Sequence, residues 1–131
     1  MISIKLTSVL VDDQAKALAF YTDILGFVLK QDIPMGEARW LTVVSPADPE
    51  GVHLLLEPCG FEFVKSYQKA LYDAGVPLTA FAVDDLAAEY QRLAASGVTF
   101  RGEPTSDPGP ATATFEDTCG NLIQLFQVVN S

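Results

Sequence analysis

The chain has 131 residues, 17 acidic and 8 basic side chains for a net charge of −9, and 49% hydrophobic residues. That length suits one compact domain. Its apolar content excludes wholesale disorder, and no apolar run approaches the roughly 20 residues of a membrane helix. A pI near 4.3 and the absence of any Lys/Arg run exclude a nucleic-acid binder and disfavour an anionic membrane surface, because both need clustered cations.

Taken in order, residues 3–11 are β-branched and apolar and predict a strand. Asp12 or Asp13 then caps a helix whose inward face is Ala17, Leu18, Tyr21, Ile24 and Leu25, at 3.6-residue spacing, with Gly26 as its left-handed cap. Residues 39–45 and 52–57 read as strands about a turn at 46–51. A helix over 62–74 presents Phe63, Val64, Tyr67 and Leu71 on one face. Asp84 or Asp85 caps a second helix, 86–96, with Tyr90 and Leu93 inward and Gly97 after it. The segment 102–110, rich in Pro and Gly, is a loop. Thr112 to Phe115 and Leu122 to Val128 are strands. Asp117-Thr118-Cys119-Gly120-Asn121 is the turn between them, with side-chain-to-backbone bonds from Asp117 and Asn121 and positive φ at Gly120.

The order of elements repeats. Val11-Asp12-Asp13 returns as Val83-Asp84-Asp85, each copy after an apolar stretch and before a helix that ends at glycine. Each is followed by a Gly-led strand, Gly51 to Glu57 and Gly120 to Phe126. The pattern implies a duplicated βαβββ module and an α+β fold with a curved mixed sheet around a cleft. Module 1 covers residues 1–60, a linker helix 62–74, and module 2 residues 75–131 of a single domain.

Leu10-Val11-Asp12-Asp13 with Ala19-Phe20-Tyr21-Thr22-Asp23-Ile24-Leu25-Gly26-Phe27 resembles the glyoxalase / bleomycin-resistance / extradiol dioxygenase superfamily, also called vicinal oxygen chelate. So does Phe81-Ala82-Val83-Asp84-Asp85 with Asp117 to Leu125. The resemblance spans both halves and implies the paired βαβββ fold. It also implies four metal-ligand positions, the first and last strand of each module, and these fall here on Leu6, Glu57, Leu78 and Gln124. Leucine has no lone pair, and one carboxylate with one amide is a poor donor set for zinc, nickel or iron(II). No cofactor is therefore expected, and a divalent metal at this position is disfavoured.

Strand alternation turns Leu6, Ser8, His53 and Glu57 toward the cleft in the first half, and Leu78, Ala80, Gln124 and Phe126 in the second. Val9, Val11, Leu54, Leu56, Phe81, Val83, Ile123 and Leu125 pack under helices. Trp40 with Arg39, and Phe61 with Phe63, suggest aromatic lining, although their spacing equally suits core residues. The first reading is a protein that binds a small organic ligand in a homodimer cleft, as in the bleomycin-resistance branch. A second is a lyase, isomerase or dioxygenase, metal-dependent through a shifted site or acid–base through Glu57 as the catalytic residue. A third is an interaction protein whose cleft is packed core. The start Met1-Ile2-Ser3-Ile4-Lys5 lacks a signal-peptide pattern, and Cys59 and Cys119 lack a disulfide or Cys-x-x-Cys pattern, so a cytoplasmic protein with two reduced thiols is expected.

Overall fold

The computed structural model describes residues 1–106 and 109–128. Asp107 and Pro108 of the expected loop, and residues 129–131 of the expected second module, lie outside the described residues. The chain is α+β and divides into two units, Met1–Lys65 and Ser66–Ser131.

In the first unit β1 (Leu6–Val11) leads to α1 (Gln14–Ala19), then to β2 (Val28–Met35), β3 (Ala38–Val44) and β4 (His53–Pro58). The sheet order is β1-β4-β3-β2, with β1 and β4 parallel and the other pairs antiparallel. Asp13 caps α1 by accepting from the Lys16 amide at 3.0 Å. The helix does not continue as pure α. Residues Phe20–Ile24 form a π turn in which the Leu25 N–H donates to the Phe20 carbonyl, five residues back, at 3.1 Å. That wider turn brings Phe20 into the core beside Ala17 and Tyr21, while Leu18, Ile24 and Leu25 are only half-buried. Gly26 ends the element at φ +94°.

One face of this sheet is dry. Val9, Val11, Leu41, Val43, Leu54 and Leu56 are all buried. Full burial of such a side chain contributes about 2 kcal/mol, so a one-residue register slip, which would turn the whole set outward, is strongly disfavoured. β2, at one of the two edges of this sheet, is not among the strands expected from sequence. Its alternation is interrupted between Leu29 and Gln31, where the register shifts at Lys30, and by Pro34. A bulge, a lysine and a proline are also what blunts an exposed edge against pairing with other chains.

In the second unit β5 (Thr79–Val83), α3 (Leu86–Ala95), β6 (Thr112–Glu116) and β7 (Leu122–Gln127) form a sheet of order β5-β7-β6, with β5 and β7 parallel. Asp85 caps α3 by accepting from Ala88 N–H at 3.1 Å, and Gly97 follows at φ +90°. Where the first unit has a full edge strand, residues 99–105 bridge to β6 only at Phe100–Phe115 and Thr105–Thr112. The core joins Leu86, Leu93, Ala113, Phe115, Ile123 and Leu125. Phe100 packs its ring between those of Tyr90 (4.5 Å) and Phe115 (5.8 Å).

The division between units falls within α2 (Glu62–Asp73), the helix expected as a linker. Its expected inward face is not inward. Phe63 is 71% and Tyr67 55% exposed, Val64 and Leu71 are half-buried, and Gln68 is buried instead. The cause is polar. Gln68 Nε2 donates to the Cys119 carbonyl (3.1 Å) and to Asn121 Oδ1 (2.9 Å), tying α2 to the β6–β7 turn. In that turn Asp117 Oδ1 accepts from the amides of Cys119 (2.8 Å) and Asn121 (3.0 Å), and Asp117 Oδ2 from Asn121 Nδ2 (2.8 Å). Gly120 adopts φ +99°, and a Cβ there would stand 2.9 Å from the Gln68 amide. The Asn121 amide thus bonds two side chains, accepting from Gln68 and donating to Asp117.

Candidate functional site

Each sheet has an open face opposite its packed one. On the first, β1 contributes Leu6, Ser8 and Leu10, and β4 contributes His53, Leu55 and Glu57; each is exposed or half-exposed. Parallel register sets Leu6 level with His53, Ser8 with Leu55 and Leu10 with Glu57. Leu6 and Glu57, expected as neighbouring ligand positions, are therefore separated by four residues along the strands, roughly 13 Å. His53 is the residue beside Leu6.

β3 adds Trp40 and Thr42 to this face, and β2 adds Gln31 and Ile33, paired with them in register. Trp40 Nε1–H donates to Gln31 Oε1 at 3.0 Å, which fixes the indole plane. Thr42 is fully buried, and its Oγ1 lies 3.4 Å from His53 Nδ1. Register pairs Thr42 with Leu55 across β3–β4; Trp40 and Glu57 each lie two residues beyond that pair, on the same face of the sheet, where no register pair joins the two strands. Glu57 is exposed, and among the described residues it forms no ion pair. Four of the unit's five Lys and Arg side chains pair elsewhere: Lys16 with Asp12, Lys30 with Glu50, Arg39 with Asp32 and Lys65 with Glu62.

The open face of the second unit carries Ala80 and Ala82 on β5, Gln124 and Phe126 on β7, and Thr112, Thr114 and Glu116 on β6. Leu78 N–H donates to the Leu122 carbonyl at 2.9 Å, so Leu78 stands level with Leu122, and Gln124 lies level with Ala80. At the far end Glu116 accepts from the Tyr72 hydroxyl and from Arg101 (3.4 Å), whose guanidinium lies 5.2 Å over the Tyr72 ring. The Tyr72 hydrogen bond, then the Arg101 hydrogen bond and charge, outweigh desolvation and hold the Glu116 carboxyl below its ordinary value of 4.5. A depressed folded-state pKa contributes stability that is complete above the unfolded value and lost as pH falls through the folded one. Tyr72→Phe is expected to cost about 1 kcal/mol at pH 7. Its gap in Tm from the parent should narrow once the pH falls below 4.5. A gap that is constant with pH would show that the hydroxyl acts through packing alone.

The metal implied by the resemblance does not fit these residues. Leu6 and Leu78 offer no donor, and among the described residues no three of His, Cys, Asp and Glu are grouped to hold an ion. Burial first, and then the Asp12 and Glu57 charges, push the Cys59 thiol up toward its neutral form, while Cys119 is fully buried in the turn. Phe61 and Phe63 stack on each other at 5.2 Å and are 65% and 71% exposed, so they line nothing in the first unit. Sequence reasoning missed Gln31, Thr42 and the Tyr72–Glu116–Arg101 group. Gln31 sits on the strand that the bulge disguised, and the group joins elements far apart in the chain.

The sequence model of the Glyoxalase/Bleomycin resistance protein/Dioxygenase superfamily matches residues 3–125. YurT of Bacillus subtilis (strain 168) is 52% identical over 124 residues, 95% of this chain and 98% of that protein. Among solved structures, UcmS2 is 33% identical with a TM-score of 0.82 over 96% of this chain and 98% of its own. TnmS3, an antibiotic binding protein from Streptomyces sp. CB03234, is 32% identical with a TM-score of 0.76 over 98% of each chain. No helix is long and apolar enough to cross a membrane among the described residues.

Proposed function

Because this chain belongs to the glyoxalase/bleomycin resistance/dioxygenase superfamily, we propose that it binds and sequesters a small, flat organic molecule bearing a protonated nitrogen, without a catalytic metal. One observation carries the reading: Trp40, its indole bonded to Gln31, lies on the same sheet face as Glu57, a carboxylate that forms no ion pair among the described residues, and the face is otherwise lined by Leu6, Ser8, Leu10, His53 and Leu55. A flat ring stacks on the indole, and the carboxylate attracts the cation. Leu78, Ala80, Gln124 and Phe126 are the corresponding ligand-binding residues of the second unit. The likeness to TnmS3, an antibiotic binding protein, supports binding over turnover. Glu57 is exposed in the single chain, with no acid or base partner hydrogen-bonded to it among the described residues, which gives no support to a general-base role.

The reading includes a cytoplasmic location and a homodimer in whose cleft the ligand sits; the dimer is favoured because Leu6, Val28, Ile33 and Met35 leave an apolar surface exposed on the first unit's open face. Sedimentation at micromolar concentration should give twice the chain mass.

The test uses proflavine, a flat tricyclic cation, and anthraquinone-2-sulfonate, a flat anion. Proflavine is expected to raise Tm and quench Trp40, the single tryptophan, and the sulfonate to do neither. Glu57→Gln should weaken proflavine binding about tenfold, or 1.4 kcal/mol. Equal response to both dyes, or to neither, overturns the reading.

A further inference from the structure

Where β3 and β4 approach Trp40 and Glu57, their pairing stops. Register pairs join them at Thr42–Leu55 and Val43–Leu54, yet β3 runs back to Ala38 and β4 on to Pro58. Beyond the pairs, backbone groups that would meet across the strands meet a side chain. Gln14 Nε2 donates to the Arg39 carbonyl (2.7 Å) and to the Leu56 carbonyl (2.9 Å), and Arg39 N–H donates to Gln14 Oε1 (3.0 Å). A direct ladder bond would draw the strands to the usual spacing of about 4.8 Å. An interposed amide adds a second hydrogen bond and its own width. Three of the four bonding positions of the Gln14 amide are filled, both donors and one acceptor lone pair. The next residue on β3 is Trp40, and Arg39 is itself clamped to β2 through its bidentate bond to Asp32 (3.0 and 2.7 Å). The wedge therefore acts on a strand whose other side is held.

We propose that Gln14 is a positioning residue: its amide, wedged between the diverging ends of β3 and β4, sets the width of the slot flanked by Trp40 and Glu57 and so the thickness of ligand that the first unit accepts. The role in ligand choice rests on the reading above; the wedge itself is a property of the free protein. The shape of the side chain fits the task. Glutamine alone among the common side chains combines two donors, one acceptor and a reach of three carbons from a helix start. Asparagine is a methylene short, glutamate cannot donate to two carbonyls, and methionine matches the length but bonds nothing.

The experiment therefore reads the free protein first. In Gln14→Met, at a temperature where far-UV circular dichroism matches the parent, the Trp40 emission maximum is expected to shift by several nanometres and the acrylamide quenching constant to change at least twofold. Asp85→Ala, which removes the α3 cap in the other unit, is a control of comparable destabilisation and should leave both signals unchanged. Unchanged Trp40 signals in folded Gln14→Met, or the same change in Asp85→Ala, overturn the proposal. A second measurement needs no variant. Amide hydrogen exchange of the parent should show Arg39 N–H protected at least tenfold over a free surface amide, and an unprotected Arg39 overturns the wedge even where Gln14→Met fails to fold. With proflavine, Gln14→Met should bind at least fivefold more weakly than the parent. Failure of proflavine to bind the parent defeats the functional reading and leaves the free-protein result standing.

Discussion

Replacing Asp117 with alanine is expected to lower Tm by about 10–20 °C, corresponding to about 3–5 kcal/mol for a chain of this size. The carboxylate is fully buried and is held by hydrogen-bond donors: the amides of Cys119 and Asn121 and the side-chain amide of Asn121. Each buried donor left without an acceptor costs about 1–3 kcal/mol, and relaxation of the turn recovers part of the sum. Thr118, a non-glycine residue at φ 63°, is held in that conformation by the same network. Asp117→Asn preserves volume but must turn an NH2 toward a donor, so a loss of about 2 kcal/mol is expected there. Urea denaturation of both variants separates hydrogen bonding from packing. An Asn variant as stable as the parent, or an Ala variant within about 1 kcal/mol of it, would show that the network does not anchor the turn.

This turn was legible in the sequence because its residue types have few other uses. Asp, Gly and Asn at fixed offsets between two apolar runs imply a tight turn with local hydrogen bonds. The two N-caps were legible for the same reason, and Asp13 and Asp85 proved to be the acceptors. What the sequence disguised is where two rules compete. On α2 the apolar spacing of Phe63, Tyr67 and Leu71 pointed to a buried face. A single buried glutamine, satisfied by the β6–β7 turn, instead fixes which side faces in, because its amide would be costly to bury unpaired. In α1 the strict 3.6-residue pattern passed over Phe20, since a π turn cannot be seen from spacing that assumes an α-helix. In β2 a bulge and a proline broke the alternation by which strands are recognised.

The candidate site was legible by face but not by register. Alternation assigned the inward and outward residues of β1 and β4, because period 2 needs no knowledge of the partner strand. Pairing does need it. The repeat contains the missing information: Leu55 lies four residues after Gly51, as Gln124 lies four after Gly120. By this count Leu55, not Glu57, is the counterpart of Gln124, and the register agrees. Ser8 is level with Leu55 as Ala80 is with Gln124, and Leu6 is level with His53 as Leu78 is with Leu122. Glu57 is level with Leu10 instead, two residues beyond Leu55 on the same face.

That register predicts a gain of function. The double variant Leu6→His with Leu55→Glu is expected to bind zinc at least about 100-fold more tightly than the parent, or 2.7 kcal/mol. Leu6 lies directly across the parallel pair from His53, and neighbouring strands are about 4.8 Å apart. Leu55 is two residues along β4 from His53 on the same face, roughly 6.6 Å away. Two imidazoles and one carboxylate at such spacing can meet a single ion at the usual zinc bond lengths of about 2.0–2.2 Å, with a fourth position left for water. The Thr42 hydroxyl beside His53 Nδ1 is a ready outer partner, and it leaves Nε2 to face the ion. Because Leu6 is 45% exposed, the first substitution disturbs little packing. Each single substitution supplies at most two of the three donors and should gain far less than the pair. Competition against a chromophoric chelator at pH 7.5 measures the difference. The alternative pair, Leu6→His acting with the native Glu57, spans roughly 13 Å and should gain little. If Leu6→His alone bound zinc as tightly as the double variant, and lost it with Glu57→Gln, Glu57 would be the true ligand position and the present pairing of β1 with β4 would be wrong.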